Sequence, residues 1–428
     1  MLHRLEPHLD AAIWHIAFSG GLDSTVLLHL LASLSRQQRL PPLRAIHIHH
    51  GLQAAADAWP AHCQAVCDSL GVPLTVLRVR VEAGASLEQA ARQARYQAFE
   101  ALLGEGEVLL TAQHSDDQAE TLLFRLLRGA GVRGLVGMPC QRRLGRGWLL
   151  RPLLDQSRAQ LEAYARAQGL SAIEDPSNRD LGFSRNYLRH QVLPPIEQRW
   201  PQAAATIARS AEHLREALGL LDELALEDLR AANQPGPFDW LDLPSLLLEP
   251  IRGLSPARQR NALQHWLASR TRLPDSVHWR GWEDLRDARA EAAATWALAD
   301  GQLRRGAGRL WWLPKEWPTP STEPRAWPDV RLPLLLEGNG TVVFQGPAPI
   351  GSARIAYRQG GETLEVPGRG RRDLKRLLNE AGVPGFVRAR LPLLFVDGRL
   401  HAVANLAWPG SGQPCLRWSP RSGDQHLR

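Results

Sequence analysis

The stretch Ile16-Ala-Phe-Ser19-Gly20-Gly21-Leu22-Asp23-Ser24-Thr25 decides how this chain is read. A short apolar run, Trp14 to Phe18, stops at a Gly-Gly turn, and Ser24 to Leu34 follows with helical spacing. The first N–H groups of a helix lack an intrahelical partner and sit at the positive end of its dipole. A strand, a glycine turn and a helix in immediate succession therefore form an anion cradle. Ser19, Ser24 and Thr25 add hydroxyl donors, and Gly20, Gly21 and Leu22 bring the backbone close to a ligand. Asp23 is the odd member. A carboxylate among phosphate binders makes sense where it holds Mg²⁺ or faces the reacting centre. A bare Gly-Gly pair would be an ordinary turn with Ser24 as a helix cap; the whole string behind a buried strand favours phosphate. It is not a Walker A loop, because no Gly-Lys-Ser/Thr ending is present.

Around this loop the first 115 residues alternate strand and helix patterns. Arg44 to His49, Leu74 to Val79 and Val108 to Ala112 are expected strands, and Ser86-Leu-Glu-Gln89 has the form of a capping box opening a helix. Such alternation predicts an α/β domain with a parallel sheet, whose ligands sit beyond the carboxyl ends of the strands. The pattern changes near Trp200-Pro201. Residues 201–300 are rich in Ala, Leu, Arg and Glu at helical spacing, and Arg309 to Pro314 and Gly340 to Phe344 are strand-like again. The expected division is a nucleotide-binding domain over 1–200, a helical domain over 201–300 and a smaller mixed α+β domain over 301–428.

The 428 residues suit about three domains at roughly 150 residues each. Hydrophobic residues at 44%, charged at 22% and aromatic at 6% exclude a disordered, collagen-like or coiled-coil chain. No apolar run reaches the ~18 residues of a membrane span, and the start has no apolar signal core. Four scattered cysteines, Cys63, Cys67, Cys140 and Cys415, make no disulfide framework or zinc knuckle. A cytoplasmic protein with no membrane partner is expected. The net charge is +7 with only two lysines, Lys315 and Lys375, which reads as the arginine usage of a GC-rich genome. Distribution is more telling: from Gly351 onward 13 basic residues face 6 acidic ones, so the last 78 residues carry the whole excess. A basic terminal module on a neutral body suggests a polyanion partner; a merely solvated basic surface is the plainer alternative.

Two further strings fall at expected strand ends. Ile46-His-Ile-His49-His50-Gly51-Leu52 could supply a metal site or general-base chemistry, or, from His49, a backbone contact to adenine. No cysteine or carboxylate stands close by in sequence, which favours adenine. Ala112-Gln-His114-Ser115-Asp116-Asp117-Gln118-Ala-Glu120-Thr121 opens a helix. Asp117 and Glu120 are three apart and share one face of its first turn. They are either dipole partners or the walls of a small acidic pocket suited to a cation.

SGGLDST resembles the PP-loop of the N-type ATP pyrophosphatases, which cleave ATP between the α and β phosphates. With HIHHGL, HSDDQAET, SLEQAARQARYQAF, RPLL (Arg151 to Leu154), EDPSNRD and Ser184-Arg185-Asn186-Tyr-Leu-Arg189, the chain closely resembles the tRNA(Ile)-lysidine synthetase family over most of its first 200 residues. The likeness returns more loosely in Gly368-Arg-Gly-Arg371-Arg372-Asp-Leu-Lys375-Arg376-Leu-Leu and Val383-Pro-Gly-Phe-Val-Arg, where a single Lys375 stands in place of the family's frequent lysine pairs.

The resemblance implies ATP as co-substrate with Mg²⁺, L-lysine, and the isoleucine tRNA with a CAU anticodon. ATP adenylates the wobble cytidine, and the lysine side-chain amine displaces AMP. It further implies that Ser19 to Thr25 and His49 bind ATP and that Asp23 supports Mg²⁺ or the reacting centre. Asp117 and Glu120 would bind lysine and serve catalysis beside His114 and Asp116. Arg151, Arg185, Asn186 and Arg189 would serve the tRNA or phosphates. Family members are often dimeric, which leaves a homodimer open.

The basic C-terminal stretch supports the tRNA reading separately. Arg371 to Ala381 is expected to be one helix, with Leu374, Leu377, Leu378 and Ala381 on one face and Arg371, Arg372, Lys375 and Arg376 mainly on the other. Such a face can grip a tRNA backbone. Trp311 and Trp312 read as core residues. Three rivals remain. A tRNA thiolase with the same loop needs a persulfide cysteine or an iron–sulfur cluster, and no CxxC is present. An amidating synthetase of the GMP synthetase type needs an ammonia source. A non-catalytic tRNA-binding relic would have no reason to keep Asp23, Asp117 and Glu120.

Overall fold

The computed structural model describes residues 1–51, 54–81, 87–274, 277–289, 294–315, 317, 323–407 and 413–420. The chain forms two compact units, Met1–Gly219 and Leu220–Arg428.

The first unit is built on a six-stranded sheet in the order β3-β2-β1-β4-β6-β5. Its strands are β1 (Trp14–Ala17), β2 (Leu43–His49), β3 (Leu74–Arg78), β4 (Val108–Leu110), β5 (Gln141–Leu144) and β6 (Gly147–Leu150). All pair in parallel except the edge strand β5. Successive side chains leave a strand on opposite faces, so a sheet covered by helices on both sides needs apolar residues at nearly every position. β1 meets it on one face and answers its one buried polar residue, His15, with Glu107 at 3.0 Å. Trp14, Ile16 and Phe18 pack with Val26, Leu27 and Leu31 of the helix Leu22–Ser35. On another side of the sheet Ile46, Leu109 and Leu149 pack with Phe99 of the helix Leu87–Leu102 and with Leu103 just after it. The expected α/β parallel-sheet domain is what the chain forms. Ser86, the start of the expected capping box, lies outside the described residues.

In the second unit, β7 (Ser245–Leu247), β8 (Thr295–Leu298), β9 (Gly301–Gly306) and β10 (Arg309–Pro314) make an antiparallel sheet in the order β7-β10-β9-β8. Trp266 of the helix Pro256–Leu267 and Trp282 of the helix Arg280–Asp287 pack with Trp296 and Trp312 of this sheet. The stretch read as helical therefore also supplies β7 and β8 to a sheet whose other strands lie beyond residue 300. Strands of three or four residues contain too little alternation to stand out from a helical background. Trp311 and Trp312 are both buried, as expected of core residues.

Two more antiparallel sheets follow. One runs β11 (Arg325–Ala326), β14 (Ala353–Ala356), β17 (Leu393–Val396), β18 (Arg399–Val403). The other runs β12 (Leu334–Leu336), β13 (Gly340–Phe344), β19 (Leu416–Ser419). A hairpin, β15 (Thr363–Val366) and β16 (Gly370–Asp373), leads into the helix Leu374–Glu380. Here one expectation is corrected. Arg371 and Arg372 belong to β16, opposite Glu365 and Leu364, and only Lys375 and Arg376 are helical. Asp373 stops the strand and caps the helix: its carboxylate accepts the Arg376 backbone N–H at 3.0 Å. An Asp with that reach is a strong helix start. Leu374, Leu377 and Leu378 are buried as expected, whereas Ala381 is the exposed C-cap. No helix among the described residues is long and apolar enough to cross a membrane.

Candidate active site

The loop after β1 lies beyond the carboxyl ends of the parallel strands, where a doubly covered sheet offers its ligand crevice. Gly20 takes φ +84°, and a Cβ there would come within 2.7 Å of Ile173 Cδ1 and 3.0 Å of Cys63 Sγ. Only glycine fits that bend. The Ile173 N–H donates to the Gly20 carbonyl at 2.8 Å and pins the loop from below. Gly21 is the N-cap of the helix Leu22–Ser35, so the N–H groups of Leu22, Asp23 and Ser24 have no intrahelical acceptor.

The hydroxyls divide in a way the string did not foretell. Ser24 Oγ donates to the Gly21 carbonyl at 2.9 Å, and Thr25 Oγ1 donates to the same carbonyl at 3.0 Å. Both side chains are buried and shape the loop rather than face out. Ser19, exposed and 3.0 Å from Ser24 Oγ, is the hydroxyl left at the mouth. His49 closes β2 and is buried, with Nε2 3.1 Å from Asp57 Oδ1. Its neighbour His47 donates from Nδ1 to the Phe18 carbonyl at 3.0 Å, tying β2 to the strand beneath the loop.

The carboxylates expected from sequence come together through residues that were not singled out as their partners. Asp23 is held by Arg158, whose Nη1 donates to both carboxylate oxygens at 2.8 and 2.7 Å. His114, only 2% exposed, stands at the centre. Its Nε2 is 3.8 Å from Asp23 Oδ2 and 3.5 Å from Asp117 Oδ2, and its Nδ1 is 3.5 Å from Asp116 Oδ2. Asp117 also accepts the His114 backbone N–H at 3.1 Å, which closes the first turn of the helix Ser115–Leu126. Arg189 then spans the expected acidic pair. Its Nε donates to Glu120 Oε1 at 2.6 Å, and its Nη2 to Glu120 Oε2 and Asp117 Oδ1, each at 3.0 Å. A continuous network results: Arg158, Asp23, His114, Asp117, Arg189, Glu120. It joins the phosphate loop to the acidic pair.

Burial sets the protonation behaviour of this network. It pushes the carboxyls of Asp23 and Glu120 above the usual carboxylate range, against the pull of His114 and Arg158 on the first and Arg189 on the second. Burial also disfavours charge on His114, but the Asp116 carboxylate 3.5 Å from its Nδ1 and the charges of Asp117 and Asp23 outweigh it and raise its pKa. For Asp116 burial acts upward, yet the neighbouring His114 and hydrogen bonds from the Arg158 N–H and the Ser115 hydroxyl hold its carboxyl at about 2.

The arginines expected to serve tRNA separate into different roles. Arg151 is 3% exposed; it donates to the Pro139 carbonyl at 2.7 Å and neighbours Tyr96. It is a brace inside the unit, not a surface cation, because its guanidinium is enclosed. Arg189 belongs to the acidic pocket. Asn186 donates to the Ser177 and Asp180 carbonyls at 2.8 and 2.9 Å and so shapes the EDPSNRD turn. Arg185 has no ion-pair partner within salt-bridge distance among the described residues, while lying near enough to Glu120 and Arg125 to influence both. Arg371, Arg372, Lys375 and Arg376 sit in the second unit. Arg158 was not picked out from the sequence, although a signal existed. It is the first residue of its helix, where the dipole disfavours a cation, so a carboxylate partner was to be sought.

A strand, a Ser-Gly-Gly bend and a helix that leave their N–H groups at the crevice define a PP-loop nucleotide-binding domain, and the model of the PP-loop domain matches residues 2–196. The TilS substrate binding domain matches 246–311 and the TilS substrate C-terminal domain matches 353–414. The tRNA(Ile)-lysidine synthase of Pseudomonas fluorescens is 62% identical, covering 100% of this chain and 98% of that protein. That of Pseudomonas aeruginosa is 61% identical with the same coverage, and that of Alkalilimnicola ehrlichii is 44% identical over 95% of this chain and 94% of its own. The chain belongs to the tRNA(Ile)-lysidine synthase family. Among solved structures, a U34-tRNA thiolase from Methanococcus maripaludis is similar at 16% identity and a TM-score of 0.41, covering 50% of this chain and 78% of that one.

Proposed function

We propose that this protein uses ATP to join L-lysine to the wobble cytidine of the isoleucine tRNA with a CAU anticodon, releasing AMP and pyrophosphate. The observation that carries the reading is the unbroken charge network between the phosphate loop and the Asp117–Glu120 pair. A two-step ligation needs both ends of that network at one reacting atom. The loop N–H groups and Ser19 take the β and γ phosphates. The cytidine 2-oxygen attacks the α phosphorus, and pyrophosphate stays in the cradle as it leaves.

Asp117 and Glu120 share the Arg189 guanidinium, with His114 beside Asp117, and an entering ammonium would take its place against the same two carboxylates. Lysine's side chain fits that demand. Glu120, its pKa raised by burial, is placed to take the ammonium proton before the free amine attacks C2 and AMP departs. Mg²⁺ usually arrives with nucleotide phosphates and needs only one or two protein carboxylates. Asp23 is the carboxylate at the loop able to hold it, and the ion would neutralise charge on the leaving pyrophosphate. Asp23 would share its oxygens with Arg158 in that case. No group of three His, Cys, Asp or Glu among the described residues forms a metal site by itself. The division of labour that fits is chemistry in residues 1–200 and tRNA selection by 201–300 and 301–428, with Arg185, Arg371, Arg372, Lys375 and Arg376 on the backbone of the RNA.

The experiment is direct. The protein is incubated with ATP, radiolabelled lysine and the CAU-anticodon tRNA. Label entering the tRNA, with one AMP released per lysine, is the expected result. No label, or a modification that depends on a sulfur donor or ammonia, overturns the reading.

A further inference from the structure

At the far end of the helix that carries Asp117 and Glu120, the surface turns apolar. Leu126 and Leu127 are 55% and 74% exposed there, and Leu181 and Tyr187 are 43% and 51% exposed on the facing segment. Between them runs a groove of about 330 Å³ lined by Phe124, Leu127, Arg128, Leu181, Tyr187 and Leu188, with Gly182 and Ser184 at its edge. Large apolar side chains left together in water mark a binding surface rather than scatter. The cations around this groove are as telling. The Arg128 guanidinium lies 5.1 Å from the centre of the Phe124 ring, and neither Arg128 nor Arg185 has a carboxylate at ion-pair distance among the described residues. Phe124 is seven residues beyond Asp117 on one helix, about 10 Å along its axis.

Resting on the function proposed above, we propose that this groove takes an unpaired nucleobase of the anticodon loop next to the reacting cytidine, stacked on Tyr187 with Phe124 and Arg128 beside it. Loop bases of RNA are recognised when they are splayed out and stacked on aromatic rings or guanidinium planes, with cations on the phosphates. The groove offers two rings, a stacked guanidinium and unpaired positive charge in one place, one or two nucleotides from the acidic pocket. An acidic protein surface would also answer Arg128 and Arg185, so it is the rings of Phe124 and Tyr187 beside that charge, about 10 Å along one helix from Asp117, that favour a base of the reacting tRNA.

The test uses the full-length protein, lysine transfer to the CAU tRNA, and Tyr187→Ala with Tyr187→Phe as control. Loss of one base stack should raise KM for tRNA about 5- to 150-fold. KM for ATP and for lysine should stay unchanged, and Tyr187→Phe should restore the wild-type value. A tRNA abasic on one or other side of the wobble cytidine should bind the wild type as weakly as the intact tRNA binds Tyr187→Ala. For one of the two flanks the losses should not add. Wild-type transfer with an unchanged tRNA KM in Tyr187→Ala overturns this inference alone. So do additive losses at both flanks, or a change of oligomeric state in Tyr187→Ala without a change in tRNA KM. A wild-type protein that transfers no lysine overturns the function itself.

Discussion

The acidic site of the first unit and the basic hairpin–helix of the second hold opposite charge in opposite ways. Asp23, His114, Asp117, Glu120, Arg158 and Arg189 are linked in a chain in which His114 and Glu120 are almost wholly buried and the others half-buried. Around Leu374–Glu380 the cations point into water: Arg371, Lys375 and Arg376 are exposed. Buried charge is tolerable only when it is answered by another, so removing one member disturbs its direct partners most. Exposed charge acts as a sum, and each member counts for little. The first arrangement suits chemistry at a fixed point. The second suits adhesion to a polymer of phosphates.

The largest effects should therefore come from the first unit and should differ by step. Asp23→Ala strips Arg158 and His114 of their shared carboxylate beside the phosphate loop, and both adenylation and lysine transfer should fall by about 10²–10⁴-fold. Asp117→Ala should leave pyrophosphate release within a few-fold of wild type while lysine transfer drops at least about 100-fold. Pyrophosphate release and label incorporation, measured on the same tRNA, read the two steps apart. Equal loss of both steps in Asp117→Ala would remove the lysine assignment from the acidic pair.

How much of this contrast the sequence shows depends on whether a signal is local. The loop needs contiguous residues, Ser19 to Thr25, and a glycine where φ is positive, so its place and ligand class can be read from the string. Asp117 and Glu120 are legible for the same reason, three apart on one turn. The partners Arg158 and Arg189 come from segments 135 and 69 residues away from the carboxylates they bind. Spacing carries no trace of such a meeting. The burial of Arg151 beside Tyr96 is likewise a contact between distant segments that its motif does not show. At the C-terminus the apolar spacing of Leu374, Leu377 and Leu378 is real, but it also permits a strand to end just before it. The cap by Asp373 decided the boundary.

The interlocked site should also register in stability, on two sides of neutrality. Asp116 is held at about 2 against an ordinary 3.8, so its contribution is present above pH 3.8 and is lost as pH falls through about 2. Asp116→Asn should lower stability by about 2 kcal/mol at neutral pH, and the deficit should shrink below pH 4. His114 has the opposite sign. Its raised pKa means that its contribution is complete below about 6.5 and is lost as pH rises through the folded value. His114→Gln should therefore be most destabilised in mild acid and should approach wild type in alkali. Urea midpoints from pH 3 to 9 measure both. Parallel curves for the two variants would mean that His114 and Asp116 are not the coupled pair their 3.5 Å separation implies.

The second unit should show the smallest effects, and they should depend on pairing rather than on charge alone. Arg376 Nε lies 3.1 Å from Glu380 Oε1, so part of its charge is already answered. Lys375, one turn-neighbour away and exposed, has no carboxylate at ion-pair distance among the described residues. A phosphate should therefore feel Lys375 more than Arg376. Lys375→Gln should weaken tRNA binding about fivefold near 0.15 M salt and reduce the slope of log K against log salt by about 0.7–0.9, the signature of one lost phosphate contact. Arg376→Gln should change both by less, and neither variant should alter kcat. Salt titrations of tRNA binding check the ranking. An equal loss for the two variants would show that Glu380 leaves Arg376 free for RNA. No loss for either would move the tRNA grip away from this helix and leave its basic face as ordinary solvated surface.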